Sequence, residues 1–138
     1  MITYRTGNAL TISDVIDVYR DSTLGQHRPV DDVEAMTRMF SAANLVVSAW
    51  SDDRLVGVAR SLSDFTFCTY LSDLAVRTSF QRSGIGKELI RKTQKEGKTA
   101  TIFLFAADAA ASYYPHIGFS KGSGWTLPRM SRVGSPTR

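Results

Sequence analysis

Apolar and polar positions change period several times along the chain, and each change predicts an element. Ile2 to Arg5 alternates strictly and predicts a short opening strand. Ile12, Val15, Ile16 and Tyr19 then recur at helical spacing, with Thr11 three residues before Asp14 as a capping-box-like start. This helix is expected to end between Asp21 and Gly25, with Pro29 closing the loop. A second helix is expected with Asp31 as N-cap, Glu34 three residues on, and Val33, Met36 and Phe40 on one face. Leu45 to Trp50 reads as a strand, Ser51-Asp52-Asp53 as a turn, and Arg54 to Leu62 as the partner strand. Another strand is expected from Cys68 to Val76. A helix follows with Ile85, Leu89, Ile90 and Thr93 inward, stopped by Gly97. Thr101 to Phe105 predicts a buried strand and Asp108 caps a short alanine-rich helix. Gly118-Phe119 leads back to the sheet. Trp125 to Met130 predicts a last strand, held to an edge by Pro128, which cannot donate to a ladder. The pattern is α/β, with a hairpin-like pair early and a strand–helix–strand unit late.

Composition narrows the class. The 138 residues are 43% hydrophobic and 22% charged, which fits a folded domain over residues 1–130 and a loose Ser/Gly/Pro-rich tail over 131–138. The lone Cys68 cannot form an internal bridge, so a reducing, cytoplasmic setting is expected. Apolar runs such as Ile102 to Ala107 are too short to span a bilayer, so no membrane partner is expected. Residues 1–70 hold six arginines against nine acids, whereas residues 71–138 hold eleven Lys or Arg against four acids. Arg132 and Arg138 lie in the tail with Arg129 just before it, and no basic cluster interleaves with aromatics, which argues against a nucleic-acid partner. An acidic half joined to a basic half suits a protein holding a polyanionic cofactor beside a cationic substrate. A scattered, solvated charge pattern accounts for it equally well.

The sharpest chemistry lies between the fourth expected strand and the helix after it. A strand feeding Gly84-Ile85-Gly86 into a helix makes an anion site, because first-turn N–H groups have no intrahelical partner and sit at the positive end of the helix dipole. Glycine lets a phosphate approach the backbone, and Arg77, Arg82 and Lys87 add charge. A P-loop is excluded, since Gln81 and Glu88 stand where it needs Gly and Ser/Thr; a dinucleotide fingerprint is excluded by Leu89. Two glycines alone are equally compatible with a tight turn.

The flanking residues shift that balance. Gln81-Arg82-Ser83-Gly84-Ile85-Gly86 resembles the Q/R-x-x-G-x-G/A acetyl-coenzyme A signature of the GNAT superfamily of N-acetyltransferases. Ala110-x-x-Tyr113-Tyr114-x-x-x-Gly118-Phe119 is similar to its second signature, A-x-x-F/Y-Y-x-x-x-G-F. Order and spacing match from Ile2 to Met130. The resemblance implies a mixed, mostly antiparallel central sheet of about six strands flanked by about four helices, with a parallel, splayed strand pair holding the cofactor.

By that resemblance, acetyl-CoA is the co-substrate and no metal is needed. Backbone groups of Gln81, Arg82, Ser83, Gly84, Ile85, Gly86 and Lys87 would hold its pyrophosphate. The strand edge at Leu74, Ala75 and Val76 would bond the pantetheine arm and polarise the thioester carbonyl. The activity implied is acetyl transfer to a primary amine of a small molecule or protein, by direct attack in a ternary complex. The alternative is a non-catalytic acyl-CoA-binding module. Tyr114 matches the tyrosine that protonates the departing sulfur. Pro115 is expected to turn Tyr114 out of a helix and to make Tyr113 a substitute. Asp73 matches the position of a general base, placed by period-two geometry on the face of Leu71 and Ala75. It reads equally as a structural carboxylate bonded to backbone or to an arginine. Ala107 replaces a frequent cofactor-contacting asparagine. His27, His116 and Cys68 read as turn or packing residues, and their spacing does not suit zinc. The expected edge strand near Trp125 would permit a homodimer.

Overall fold

The computed structural model describes residues 1–134, so the last four residues of the expected tail lie outside the described part. Two compact units are present, Met1–Phe105 and the segment from Ala106 onward. The first carries a five-stranded sheet in the order β1 (Ile2–Thr6), β2 (Leu45–Ser51), β3 (Arg54–Ser63), β4 (Cys68–Val76), β5 (Thr101–Phe103). The first four strands pair antiparallel and β5 pairs parallel with β4. With helices α1 (Ile12–Asp21), α2 (Val33–Ala42), α3 (Ile85–Glu96) and α4 (Tyr113–His116), the architecture is mixed α/β.

Each face of the sheet is covered, which explains why β3 is buried almost continuously from Leu55 to Ser61 rather than at alternate positions. On one face, Val15, Val18 and Tyr19 of α1 and Met36 and Phe40 of α2 pack on Val46, Val58 and Ala75. On the other, α3 buries Ile85, Leu89, Ile90 and Thr93. Gly57 lets that helix come close, since a Cβ there would stand 3.1 Å from Leu89 Cδ1. Side chains of this size each contribute about 1.5–3 kcal/mol on burial, so both layers are strongly held.

Several expectations need correction. Asp32, not Asp31, caps α2 by accepting from the Ala35 N–H at 3.0 Å; Asp31 instead pairs with Arg20. Thr11 precedes α1 without making a side-chain cap bond. The strand from Thr101 is three residues long, with Phe103 52% exposed, rather than a buried five-residue strand. No strand forms over Trp125–Met130, and Trp125 is 94% exposed, so the sheet has five strands among the described residues and the edge expected to pair two copies is not formed. Pro128 removes a ladder donor from that segment, and Gly122 and Gly124 loosen the chain just before it.

In the second unit, Asp108–Ala110 is a 3₁₀ turn with Ala107, not Asp108, in the capping position. Tyr114 stays helical despite Pro115. The helix begins late, at Tyr113, so the proline falls in its first turn, where its missing N–H had no partner to lose. Gly118, at φ 106°, then reverses the chain, and the Phe119 N–H donates to the Tyr114 carbonyl at 3.1 Å.

Candidate active site

The glycine turn is open. Thr78–Phe80 forms a 3₁₀ turn, Arg82 takes φ 62° and Gly84 takes φ 87° as the N-cap of α3. The first intrahelical bond runs from Glu88 N–H to Gly84 C=O at 3.0 Å. Among the described residues, the N–H groups of Arg82, Ser83, Gly84, Ile85, Gly86 and Lys87 have no hydrogen-bond acceptor outside this helix, and no side chain caps it. A Cβ built on Gly84 meets nothing within 4 Å, so the turn is not plugged by its own protein. Six free amides at a helix start, with Arg82 and Lys87 exposed beside them, suit a diphosphate. Gln81 stands apart. Its N–H is taken by Thr78 C=O at 3.3 Å and its side-chain amide donates to Val76 C=O at 2.9 Å.

The neighbouring strand has an open edge. Pairing of β4 with β5 covers Cys68 to Tyr70 and stops there. Beyond, Arg77 N–H donates to Val56 C=O at 2.9 Å, which fixes the phase of the ladder with β3. Alternation therefore turns the peptides of Asp73 and Ala75 toward β3, and those of Leu74 and Val76 toward the unpaired side. Of the three residues expected to offer this edge, Ala75 lends its peptide to the ladder with β3 instead.

A bulge sets that phase. Arg60 pairs with Asp73 and Ser61 pairs with Leu71, leaving Ser72 as an extra residue. The extra residue places Asp73 on the face of Ala75 but sends Leu71 to the α3 face, which simple period-two reasoning cannot see. Asp73 is completely buried. Its Oδ2 accepts from Tyr19 Oη at 2.7 Å and Arg60 Nε at 2.6 Å; its Oδ1 accepts from Arg28 Nε at 2.6 Å and Ser72 Oγ at 3.1 Å. Burial alone would raise its pKa, but the Arg60 guanidinium, the Tyr19 hydroxyl and Arg28 outweigh burial and hold it below the ordinary carboxylate value. Burial, followed by the neighbouring Asp73 charge, drives the Tyr19 phenol well above its usual value. The four donors to Asp73 come from α1, the loop after it, β3 and β4. Sequence spacing gave no signal for Tyr19, Arg28 or Arg60, because they meet only in three dimensions.

In the second unit, the Tyr114 ring sits edge-on to Tyr113 and to Phe119, both at 5.4 Å between centroids. Burial, then the nearby Tyr113, raises the Tyr114 pKa above that of a free phenol. A weaker acid is a poorer donor of a whole proton but still a good hydrogen-bond donor.

Comparison with known proteins agrees with this layout. Residues 17–124 match the family model described as an acetyltransferase (GNAT) domain. The chain is 32% identical over 103 residues to an uncharacterized N-acetyltransferase, ycf52, of Gracilaria tenuistipitata var. liui, a match covering 72% of this chain and 57% of that one. Over 69 residues it is 36% identical to the histone acetyltransferase TAP1 of Glycine max, covering 48% of this chain and 30% of the relative. The chain thus spans little more than half the length of the first relative. A GNAT family acetyltransferase from Streptococcus pneumoniae TIGR4 shares the fold at TM-score 0.75 and 24% identity, covering 94% of this chain and 99% of that one. The aminoglycoside N-acetyltransferase AAC(6')-Iy in complex with CoA does so at TM-score 0.72 and 16% identity, covering 94% of each.

Proposed function

The chain belongs to the GNAT acetyltransferase family, and we propose that it is an acetyl-CoA-dependent N-acetyltransferase acting on a primary amine of a small molecule or protein. The observation that carries this reading is the run of six acceptor-less amides over Arg82 to Lys87, beside the unpaired edge of β4. The residues fit the co-substrate: the amides suit its diphosphate, and the Leu74 peptide and the Val76 N–H suit an amide-bearing arm laid along a strand. When bound, acetyl-CoA would supply an activated acyl carbonyl and a thiolate leaving group.

The protein's part is then mainly positioning and charge stabilisation. The Leu74 N–H is aimed to stabilise negative charge developing on the acyl oxygen, a contribution typically worth ~10²-fold or more in rate. Holding amine and acyl group together contributes about 7 kcal/mol or more in a well-ordered site. Tyr114 is assigned as hydrogen-bond donor to the departing sulfur, with its raised pKa favouring a shared rather than transferred proton. Asp73 is assigned as the anchor of the acceptor side, not as the base. A carboxylate with four donors and a lowered pKa has little basicity to offer. The amine is expected to react as its free-base fraction, so kcat/KM should climb with pH toward the acceptor's own pKa, about 10.4 for a lysine-like amine.

The test is thiol release from acetyl-CoA with a panel containing a lysine peptide, a polyamine and an aminoglycoside, alongside CoA calorimetry. CoA binding with acceptor-dependent thiol release is expected. Binding without turnover on any amine would favour a non-catalytic acyl-CoA-binding module, and no binding would overturn both.

A further inference from the structure

We infer that Arg28 is a positioning residue for acetyl transfer, fastening the loop between α1 and α2 to the bulge of β4. The inference rests on the function proposed above. Arg28 makes three bonds with one guanidinium: Nε to Asp73 Oδ1 at 2.6 Å, one terminal nitrogen to the Ser72 carbonyl at 2.8 Å, and the other to the His27 carbonyl at 2.8 Å. The fork geometry of arginine is what allows a carboxylate and a neighbouring carbonyl to be held at once; a lysine ammonium cannot span both in the same way.

Both ends of this clasp matter for chemistry. At one end, Ser72 is the extra residue of the bulge, and two residues on stands Leu74, whose peptide faces the open edge. A bulge leaves the extra residue outside the ladder, so its carbonyl needs another partner. Here Arg28 takes it. At the other end lies the segment from Thr23 to Pro29, a 3₁₀ turn and a proline, half-buried at Leu24, Gly25 and Arg28, with Leu24 packed against the core and the other positions exposed. Among the described residues, Arg28 is the only member of that segment whose side chain bonds to a strand. The Arg28 side chain is 23% exposed, so it lies between the buried Asp73 and the protein surface. Asp73 keeps Arg60 and Tyr19 if Arg28 is lost, so the core anchor survives removal of the clasp.

Arg28→Ala, Arg28→Lys and the parent full-length chain are compared by CoA calorimetry, by kcat and KM with the panel amine of highest turnover, and by backbone order parameters over residues 23–30 and 72–74. For Arg28→Ala we expect CoA affinity within about twofold of the parent, kcat lower by between ~10-fold and ~100-fold, as for a misplaced reacting group, and lower order parameters in both segments. Arg28→Lys should fall between, and millimolar methylguanidinium should restore part of the kcat lost by Arg28→Ala. Unchanged kcat, unchanged order parameters or lost CoA binding in a folded Arg28→Ala chain would each overturn the inference. If Arg28→Ala does not fold, Arg28→Lys decides on the same readouts. Failure of the parent itself to bind CoA would be distinct, overturning the proposed function and this inference with it.

Discussion

Two polar regions of this molecule sit a few residues apart in sequence and are opposites. Around Asp73 every hydrogen-bonding possibility is used: four donors converge on one carboxylate that water never reaches. From Arg82 to Lys87 six amides have no acceptor among the described residues. Saturation is the mark of a region that holds the fold, because an unpaired buried charge is costly. Vacancy at the surface costs little in water and leaves bonding capacity for an incoming anion. The difference separates an anchor from a binding site, although the family pattern alone assigns a functional role to both.

The largest expected effect tests the saturated side. Asp73→Asn should destabilise the protein by about 3–5 kcal/mol at neutral pH, since it leaves Arg28 and Arg60 facing a neutral amide. The folded carboxyl has a lowered pKa, so its stabilisation is present above the unfolded value near ~4 and is lost as pH falls through the folded value. Urea melts of the parent and variant should therefore differ widely at pH 7 and converge on acidification. A constant gap across pH, or a folded variant whose rate collapses with a shifted pH profile, would return Asp73 to the role of base.

Next in size, the vacant side is tested by Gly84→Val. A branched side chain at φ 87° is strained by about 1–3 kcal/mol, and its methyl groups would stand in the space that the open turn leaves for a ligand. CoA affinity should fall by ~100-fold or more, read by calorimetry, while the fold is retained. Undiminished binding would remove the amide turn from the site.

How much of this contrast could be read in the chain itself depended on whether the cause was local. The glycine turn was legible because its conformation, its charge and its helix start are all encoded within seven residues. The bulge at Ser72 was not, because an extra residue looks like any other until the partner strand is in place. Nor was the clasp on Asp73, three of whose four donors lie 13 to 54 residues away. At the far end, Trp125 to Met130 has the composition of a strand, but pairing needs an edge to join, and composition does not supply one. The effect of Pro115 is hidden for a related reason: it depends on where the helix begins, and the helix begins at Tyr113, after the alanine run.

A smaller effect is expected at Tyr114. Because its pKa is raised, the phenol stays protonated through the usable pH range, so Tyr114→Phe should lower kcat by roughly 10- to 100-fold with no change in the shape of the pH profile below ~10. Stopped assays of thiol release across pH would show a parallel shift. A loss confined to high pH would mean that the phenolate, not the phenol, does the work.

The smallest effect sharpens the boundary between the two regions. Gln81 opens the family's signature, yet both of its amide groups are already engaged, the backbone N–H by Thr78 and the side chain by Val76. It belongs with the saturated groups, one residue before the vacant run begins. Gln81→Ala frees an exposed carbonyl that water can satisfy, at a cost of about 0.5–1.5 kcal/mol in stability. CoA affinity should stay within about threefold, set against the ~100-fold expected for Gly84→Val, because a solvent-replaced hydrogen bond contributes little. Calorimetry on the two variants side by side fixes where the binding turn starts. A loss at Gln81 as large as that at Gly84 would move the boundary into the strand and make Val76 C=O, once released by Gln81, part of what the ligand holds.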